Sequence, residues 1–259
     1  TISFGLSSSM EYDYQSFGGT VGFSKLTKSK NGEFIAKFQT YLDQVKMILP
    51  IELRGPGAPS GSEARNTFAG SLGYSQIVNK NFQLLFLVDV VQQSGYLSLP
   101  FHRVYFTDGT VHQENLPDSR LKLPVSVRGS YFLGDNIILR GYYRYYTDDW
   151  KLTAHTLDLE VPVKISPFIS VSPFYRYYSQ QGTKYFKGYE EHTAASEFFT
   201  SNYDLSTFDS QFFGAGIKFT PLKGVFGIQH LNTLEVRYGH YNRSTALSSN
   251  IISINLKYK

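Results

Sequence analysis

Histidine, serine and acidic side chains are the residues of this chain that could support catalysis or bind a metal. The six histidines are scattered, and no two have the spacing that brings ligands together on a helix or a hairpin. Ser172 and Asp158 could serve a nucleophilic or acid–base mechanism, but no spacing sets either beside a histidine in a recognisable site. The absence of cysteine excludes thiol catalysis, disulfides and cysteine-type zinc sites. We therefore predict no catalysis, no metal and no cofactor.

The charged residues are more informative because they recur within segments that alternate polar and apolar positions. In the segment 250–258, the even positions from Ile252 to Tyr258 are apolar and the odd positions from Ser253 to Lys257 are polar. A tilted strand of roughly 9–11 residues spans the hydrocarbon core of a bilayer, and only a closed barrel leaves no backbone group unpaired there. Repeated alternation at this length predicts a transmembrane β-barrel.

Twelve segments alternate in this way, and the connections between them are short and long in turn. Short turns rich in Asn, Gly and Asp are typical of tight hairpins, and the long connections are 44–66, 93–120 and 180–209. The pattern predicts an all-β fold, a transmembrane antiparallel up-and-down β-barrel of about 12 strands, with more if the N-terminus is incomplete. It predicts one barrel domain over residues 1–259 with the long loops external. The predicted strands are 1–9, 17–27, 33–43, 67–77, 82–92, 121–132, 137–147, 150–161, 169–179, 210–220, 231–241 and 250–258.

The placement of charges indicates which face of each strand meets lipid. In the strand 82–92 the even positions are apolar, whereas the odd positions include Asp89. An ionised side chain on the lipid face near the midplane costs roughly 2–4 kcal/mol for cations and somewhat less for acids, so the even positions should face outward. The same argument applied to the other strands leaves a set of charges facing inward. The predicted lumen-lining charges are Arg128, Arg140, Arg144, Asp158, Glu160, Arg176, Lys218, Glu235 and Arg237.

Two arrangements of these inward charges are open. If the strands 137–147 and 150–161 pair tightly, Arg140 should lie opposite Asp158 or its neighbour on the same face. Facing rows of arginine and acid can set the field of a pore, or they can neutralise one another and fill the lumen, because an unpaired buried charge is costly. The small width of a barrel of about twelve strands favours a mostly filled lumen. The mixed signs predict weak ion selectivity if the lumen conducts.

Aromatic side chains cluster toward the strand ends on the side of the long loops. Tyr143, Tyr145, Tyr175 and Tyr177 are predicted to form an aromatic rim that anchors in the headgroup layer, which is favoured over a role in stacking a sugar ligand. The loop 180–209 is also rich in aromatic residues. It could fold into the barrel mouth, contact a partner or pack on itself.

One proline conflicts with the strand pattern. Pro173 lies in the middle of the predicted strand 169–179, where its missing N–H would remove a bond from the sheet. A bulge or a local strand end is therefore expected at this position.

The composition excludes several other classes of protein. The net charge of +4 comes from scattered Lys and Arg residues without a basic run, which argues against nucleic-acid binding. No window contains 18 uninterrupted apolar residues, which excludes transmembrane helices. The sequence begins inside an alternating segment without a signal peptide, so we expect a mature or N-terminally incomplete chain.

Four motifs in the order 94–109, 143–150, 154–157 and 171–178 resemble a known family. They read SGYLSLPFHRVYFTDG, YRYYTDDW, AHTL and VSPFYRYY. The family consists of uncharacterised Gram-negative outer-membrane β-barrel proteins and is catalogued as a domain of unknown function. The resemblance implies the barrel fold and the outer membrane of a Gram-negative bacterium as the location. Family members carry further sequence before the point that matches Thr1, so the resemblance leaves open a barrel with more strands than the twelve of this sequence. It implies no functional residues.

The sequence thus favours a non-catalytic integral outer-membrane barrel, not an enzyme, that acts as a narrow pore or transporter for small polar solutes. The alternative is a structural or accessory subunit of an outer-membrane complex, with a plugged lumen and loops that dock partners. Outer-membrane lipid is the expected partner in either case. Other outer-membrane or lipoprotein subunits are candidate partners for the loops, and nucleic acid is not. A soluble β-sandwich or lipocalin-like carrier, whose apolar face would point inward, is a third hypothesis.

Overall fold

The computed structural model describes residues 1–258; Lys259, the last residue of the predicted domain, lies outside the described part. The chain is all-β, and its long strands follow one another as antiparallel neighbours in a single curved sheet. All twelve predicted strands are confirmed. The strands are β1 (Ile2–Met10), β2 (Tyr14–Leu26), β3 (Gly32–Lys46), β4 (Ser62–Asn79), β5 (Phe82–Gly95), β6 (Arg103–Tyr105), β7 (Val111–Gln113), β8 (Ser119–Leu133), β9 (Ile137–Asp148), β10 (Thr153–Glu160), β11 (Val163–Lys164), β12 (Ile169–Gln181), β13 (Phe208–Phe219), β14 (Leu231–Arg243) and β15 (Leu247–Tyr258).

The strand order in the sheet is the order in the sequence, which defines an up-and-down barrel. The path runs β1-β2-β3-β4-β5-β8-β9-β10-β12-β13-β14-β15, the short β11 pairs with β12 and β9, and β6 and β7 form a separate hairpin. Three short 3₁₀ helices lie in connections within residues 1–258, at Ile51–Leu53, Tyr203–Leu205 and Val225–Gly227. Within the same residues, no helix is both long and apolar enough to cross a membrane.

The alternation in the sequence produces two chemically distinct faces of the sheet. Leu157 lies opposite Tyr143 on one side and Tyr177 on the other, whereas Asp158 lies opposite Tyr142 and Arg176. Apolar rows and polar rows therefore continue from strand to strand, because side chains on neighbouring strands in register share a face. The apolar row is on the outside: Leu157 is 54% exposed. Exposed apolar residues also cover the other strands, so the soluble-carrier hypothesis, which needs an inward apolar face, does not fit this sheet.

The sheet has two free edges. The first strand, β1, pairs with β2, and the last strand, β15, pairs with β14. Within residues 1–258, no backbone pairing joins β1 to β15. The described strands thus form most of a barrel wall whose two edges are not bonded to each other.

Pro173 is accommodated differently from the sequence prediction. The strand β12 continues through it in register with β13, where Pro173 lies opposite Ala215. The interruption is in the neighbouring strand: β10 ends at Glu160 opposite Phe174, and β11 resumes at Val163 opposite Val171. The N–H of Val161 donates to the Pro173 carbonyl (2.9 Å), but Pro173 has no N–H to return. The prediction of a bulge or strand end in β12 was therefore wrong: the interruption lies in the partner strand, which has its own proline, Pro162, at that point.

Short turns and long loops lie at opposite ends of the barrel wall. The connections 27–31, 80–81 and 134–136 are at one end, and the loops 47–61, 96–118 and 182–207 are at the other. Two of these loops, 96–118 and 182–207, pack on each other and together are called the cap. The cap has its own apolar core of Val104, Phe106 and Phe199. Its hairpin of β6 and β7 was not predicted, since three-residue strands give too short a pattern to recognise.

Candidate functional site

A cavity of about 770 Å³ lies on the inner face of the sheet, beneath the cap, and is called the central cavity. Its volume is within the usual range of small-molecule sites, about 300–1,000 Å³. The lining combines guanidinium groups, carboxylates and aromatic rings. The charged lining residues are Arg128, Arg140, Arg144, Asp158, Glu160, Arg176 and Arg237.

One chain of ion pairs crosses the inner face from β9 to β14. Arg140 lies opposite Glu160 in the sheet, and its Nη1 is 3.8 Å from Glu160 Oε2. The other carboxylate oxygen of Glu160, Oε1, accepts from Arg237 Nη2 at 3.2 Å. Arg237 Nη1 in turn donates to Glu235 Oε1 at 3.2 Å. Two arginines therefore share Glu160. Glu160 and Asp158 lie on the same face of the sheet, so Arg140 pairs with the neighbour of Asp158 on that face.

A second ion pair joins the adjacent strands β10 and β12. Arg176 and Asp158 are direct cross-strand neighbours. Arg176 donates to Asp158 Oδ2 through Nε at 2.7 Å and approaches the same oxygen through Nη2 at 2.6 Å. Asp158 thus forms its ion pair with Arg176 and not with Arg140, whose partner is Glu160. Lys218 lies opposite Glu235 in the sheet, outside the lining of the central cavity, and the pair is not within ion-pair distance.

Two arginines of the central cavity remain without a carboxylate partner among residues 1–258. The guanidinium carbon of Arg128 lies 5.5 Å from the centre of the Tyr142 ring, a cation–π contact. Arg144 has a buried Nε without a hydrogen-bond partner. The two are diagonal neighbours on the inner face, because Arg128 lies opposite Tyr142 and Arg144 opposite Ser126. The cavity therefore carries a local excess of positive charge.

The inner face is closely packed at the end nearer to the cap. Asp148 has a fully enclosed side chain and forms an ion pair with Arg120 at 2.5 Å. Its carboxylate also accepts from the Tyr146 hydroxyl at 2.8 Å and from the backbone N–H of Leu152 at 3.0 Å. The guanidinium of Arg120 stacks 4.3 Å from the Trp150 ring. These contacts fill the space above the central cavity on this side of the wall.

A segment of the cap is hydrogen-bonded to side chains of the inner face. Arg243, on β14, donates from Nη1 to Asp204 Oδ1 at 2.7 Å and from Nη2 to the Tyr203 carbonyl. Gln180, on β12, donates to the carbonyl oxygens of Asp204 at 3.0 Å and Ser206 at 2.6 Å. Because Arg243 and Gln180 are on the inner phase of their strands, residues 203–206 lie against the inner side of the wall at the cap end of β12 and β14, and we call them the plug segment. Of the three arrangements open for the loop 180–209, packing on itself is present, since Phe186 pairs with Thr200 and its ring packs against Tyr203 at 5.4 Å. The loop also packs on the loop 96–118, and the plug segment contacts inner side chains at the cap end of the wall.

The cap is held together by a buried carboxylate. Glu114 accepts from the backbone N–H of Leu99 at 2.6 Å and from the Thr200 hydroxyl at 2.5 Å, which joins the two loops. Burial raises the pKa of the Glu114 carboxyl, although these hydrogen bonds and the charges of His102 and Arg65 oppose the shift. His192, also buried, contacts the Thr200 carbonyl through Nε2 at 2.9 Å. Nothing in the sequence predicts this cluster, since Glu114 and Thr200 are 86 residues apart.

The four tyrosines of the predicted rim lie on the outer face, near the cap end of β9 and β12. The Tyr143 hydroxyl is 2.8 Å from His155 Nδ1, and the Tyr177 hydroxyl donates to Asp209 at 3.0 Å. Tyr145 packs against the same His155 ring at 5.1 Å, and Tyr175 lies opposite Phe213. Their rings do not line the central cavity. Among residues 1–258, no cluster of histidine and acidic residues could hold a metal ion.

Sequence reasoning missed Gln180 and Arg243 as site residues. Both continue the inward phase of β12 and β14 but lie beyond the predicted strand ends at 179 and 241, so the phase finds them only when the strands are extended. Their loop partners could not be found, because nothing in the plug segment indicates which strand end it contacts.

Comparisons with known proteins agree with this architecture. The model of a family described as "Protein of unknown function (DUF3570)" matches residues 1–248. The solved structure of the TodX monoaromatic hydrocarbon channel (deltaS2 mutant) has a TM-score of 0.56 at 9% identity and covers 100% of this chain and 78% of that chain. CdiB from Acinetobacter baumannii has a TM-score of 0.54 at 10% identity, over 100% of this chain and 47% of that chain. At these identities the likeness shows the fold, that of outer-membrane β-barrels. No curated protein matches the sequence.

Proposed function

The chain belongs to the DUF3570 family of proteins of unknown function, and from its barrel fold and its cavity we propose that it is a non-catalytic outer-membrane pore or transporter for small polar solutes. Its location would be the outer membrane of a Gram-negative bacterium, with lipid around the wall and the long loops outside. The single observation that carries the proposal is the charged central cavity of about 770 Å³ on the inner face of an apolar-surfaced wall.

The outer face supports the membrane part of the proposal. Val88, Leu157 and Ile254 are 45%, 54% and 66% exposed, and they belong to rows of exposed apolar side chains on strands spread around the wall. In water, such a surface would favour aggregation. In a bilayer, the same surface contacts acyl chains and the polar interior is shielded from them.

The plug segment supports a gated lumen. Its main ionic contact is between Arg243, whose side chain is 5% exposed, and Asp204, whose side chain is 79% exposed. Because Arg243 is enclosed and also donates to the Tyr203 carbonyl, displacing the plug segment would leave a buried cation without these partners. These contacts therefore hold the plug segment in place. The arrangement in this structure and a displaced plug segment would then be the two states of the pore.

The experiment that tests this function is conductance of the purified protein in planar bilayers. We expect small or infrequent conductance from the wild type and a clear increase for Arg243→Met, because loss of a charged hydrogen-bond donor removes roughly 1.5–3 kcal/mol from the plug contacts. The matched control is Arg103→Gln, which removes the ion pair between the cap and Glu52 of the loop 47–61, where both side chains are well exposed. This control should conduct like the wild type. Bilayers that stay silent with both the wild type and Arg243→Met would contradict the pore.

The second candidate is a structural or accessory subunit that docks other outer-membrane or lipoprotein subunits through its loops. The observation that favours it is the cap, which is ordered by its own apolar core and by the hydrogen bond between Thr200 and Glu114. This candidate predicts a further subunit that co-purifies through detergent and is lost when the cap is removed. Such a result together with silent bilayers would replace the pore by this function.

A further inference from the structure

The charges that line the central cavity are unequal in number and unequally paired. Five arginines and two acids line it. Glu160 holds Arg140 and Arg237, and Asp158 holds Arg176. The two acids are therefore used by three arginines, while Arg128 and Arg144 have no carboxylate within ion-pair distance among the described residues. Weak ion selectivity was expected because the inward charges in the sequence have mixed signs. That expectation did not consider which arginines and acids pair with each other.

We infer that the central cavity is a binding site for small organic anions, with Arg128 and Arg144 as the residues that bind the phosphate or carboxylate group. The inference rests on the proposed function, since the cavity is the space through which the solute would pass. It adds the chemical class of the solute and the residues that select it.

The geometry of the two arginines suits a single anionic group. Arg128 and Arg144 are diagonal neighbours on adjacent strands, and diagonal positions on one face of a sheet are roughly 7–8 Å apart at their Cα atoms, within reach of long side chains. The planar guanidinium donates two parallel hydrogen bonds to a carboxylate or a phosphate. An anion between the two side chains would therefore receive donors from both.

The enclosed Nε atom of the half-buried Arg144 gives a second, independent observation that points to a ligand. Its Nε has almost no contact with solvent and no hydrogen-bond partner in the protein. A buried donor without a partner is costly, and native structures rarely leave one without a reason. An oxygen of a bound anion would satisfy this donor, and the neighbouring charge of Arg128 would favour the same oxygen.

The rest of the lining fits the organic part of the solute. The rings of Phe174 and Phe212 pack against each other at 5.1 Å and form part of the cavity wall. Tyr142 lies between the two arginines in the sheet register and is also part of the lining. Flat aromatic surfaces beside hydrogen-bonding groups are suited to the faces of sugar or aromatic rings. The cavity thus offers a charged end and an apolar wall to one ligand.

The direct test is isothermal titration calorimetry on the full chain in detergent micelles, with glucose 6-phosphate as the anionic probe and glucose as the uncharged probe of the same skeleton. We expect saturable binding of glucose 6-phosphate and none of glucose. Arg128→Gln and Arg144→Gln should each lower the affinity by about tenfold or more, the fold-change for one charged hydrogen bond. Glu160→Gln should raise the affinity, because it releases Arg140 and Arg237 from their shared acid.

The matched control is the double variant Lys28→Gln/Lys80→Gln, which removes two cations from exposed turns far from the cavity and should bind like the wild type. Arg144→Lys keeps the charge but cannot donate two parallel hydrogen bonds to one anionic group. It tests the site even if Arg144→Gln fails to fold, and it should retain part of the affinity. Equal binding of both probes, or an unchanged affinity in both Arg→Gln variants, would overturn the anion site. A conducting pore that binds no glucose 6-phosphate refutes this inference alone, whereas binding in a protein that never conducts refutes the pore and keeps the site.

Discussion

At the scale of single residues, the two levels of the barrel interior differ in how their charges are satisfied. Asp148, near the cap, is fully enclosed and accepts from Arg120, Tyr146 and Leu152. In the central cavity, the side chains of Arg140 and Arg176 are about half exposed. Breaking a buried and fully bonded pair is costly, whereas an exposed pair contributes little. The cap end is therefore the fixed part of the interior, and the cavity charges can rearrange around a solute.

Glu114 makes the stability of the cap depend on pH. Burial raises the pKa of its carboxyl above the ordinary value of 4.5, so the folded cap binds a proton more tightly than the unfolded loops do. This contribution to stability is complete below pH 4.5 and is lost as the pH rises through the raised pKa. His102 and Arg65 face the same carboxyl and oppose the shift, as do its hydrogen bonds from Thr200 and Leu99.

The single tryptophan, Trp150, is buried and packs against Tyr185 of the cap at 5.9 Å, so its fluorescence can report on cap unfolding. We expect the urea midpoint of this signal to fall between pH 4.5 and pH 8 in the wild type. The fall should be smaller in Glu114→Gln, which removes the titrating group; its one carbonyl oxygen can still accept from the Leu99 N–H, and its NH₂ group can donate to the Thr200 hydroxyl. Equal pH dependence in the two proteins, or a midpoint that rises more steeply with pH in the wild type, would refute this role of Glu114.

At the scale of elements, the side chains of each strand form a lipid-facing row and an inner row. An arginine introduced into one row or the other tests which face meets lipid. Val88→Arg, on the outer row of β5, should destabilise the protein in lipid vesicles by about 2–4 kcal/mol if the residue lies near the midplane. The control is Ser71→Arg, on the inner row of β4, where the new cation lies opposite Asp89. Urea unfolding in vesicles gives the difference between them. A control that loses as much stability as Val88→Arg would contradict the assignment of faces.

The strands were predictable because the alternation of polar and apolar residues is a local property of the sequence. The features that were not predictable depend on partners distant in the sequence. Asp89 alone was enough to orient β5, since moving one position along a strand changes the face. At Pro173 the same local reasoning failed, because the interruption lies in the neighbouring strand, at Pro162, and not in its own. The alternation of polar and apolar positions showed on which face the acidic partner of Arg140 lies. Identifying that partner as Glu160 required the register between β9 and β10. The contacts of the plug segment with Gln180 and Arg243 join positions whose pairing no periodicity encodes.

At the scale of the whole molecule, the wall has an apolar outside, a charged inside and two edges, β1 and β15, that are not bonded to each other. In hydrocarbon, each unpaired N–H or C=O costs several kcal/mol, which is why spanning sheets close on themselves. We therefore expect the free edges of β1 and β15 to be paired in a membrane, with each other or with further strands. The two strands run antiparallel, since each passes between the turn end and the loop end in the opposite direction, so direct pairing is compatible with the up-and-down order.

The central claim is that the apolar rows contact lipid and the charged rows face an aqueous interior. Spin labels on engineered single cysteines in lipid vesicles test it most directly, because the chain has no native cysteine to compete for the label. Labels at Val88, Leu139 and Ile254 should be relaxed by oxygen dissolved in the lipid, and labels at Arg140 and Glu235 by a water-soluble nickel complex. The reverse pattern, with nickel reaching the first three positions and oxygen the last two, would contradict the account.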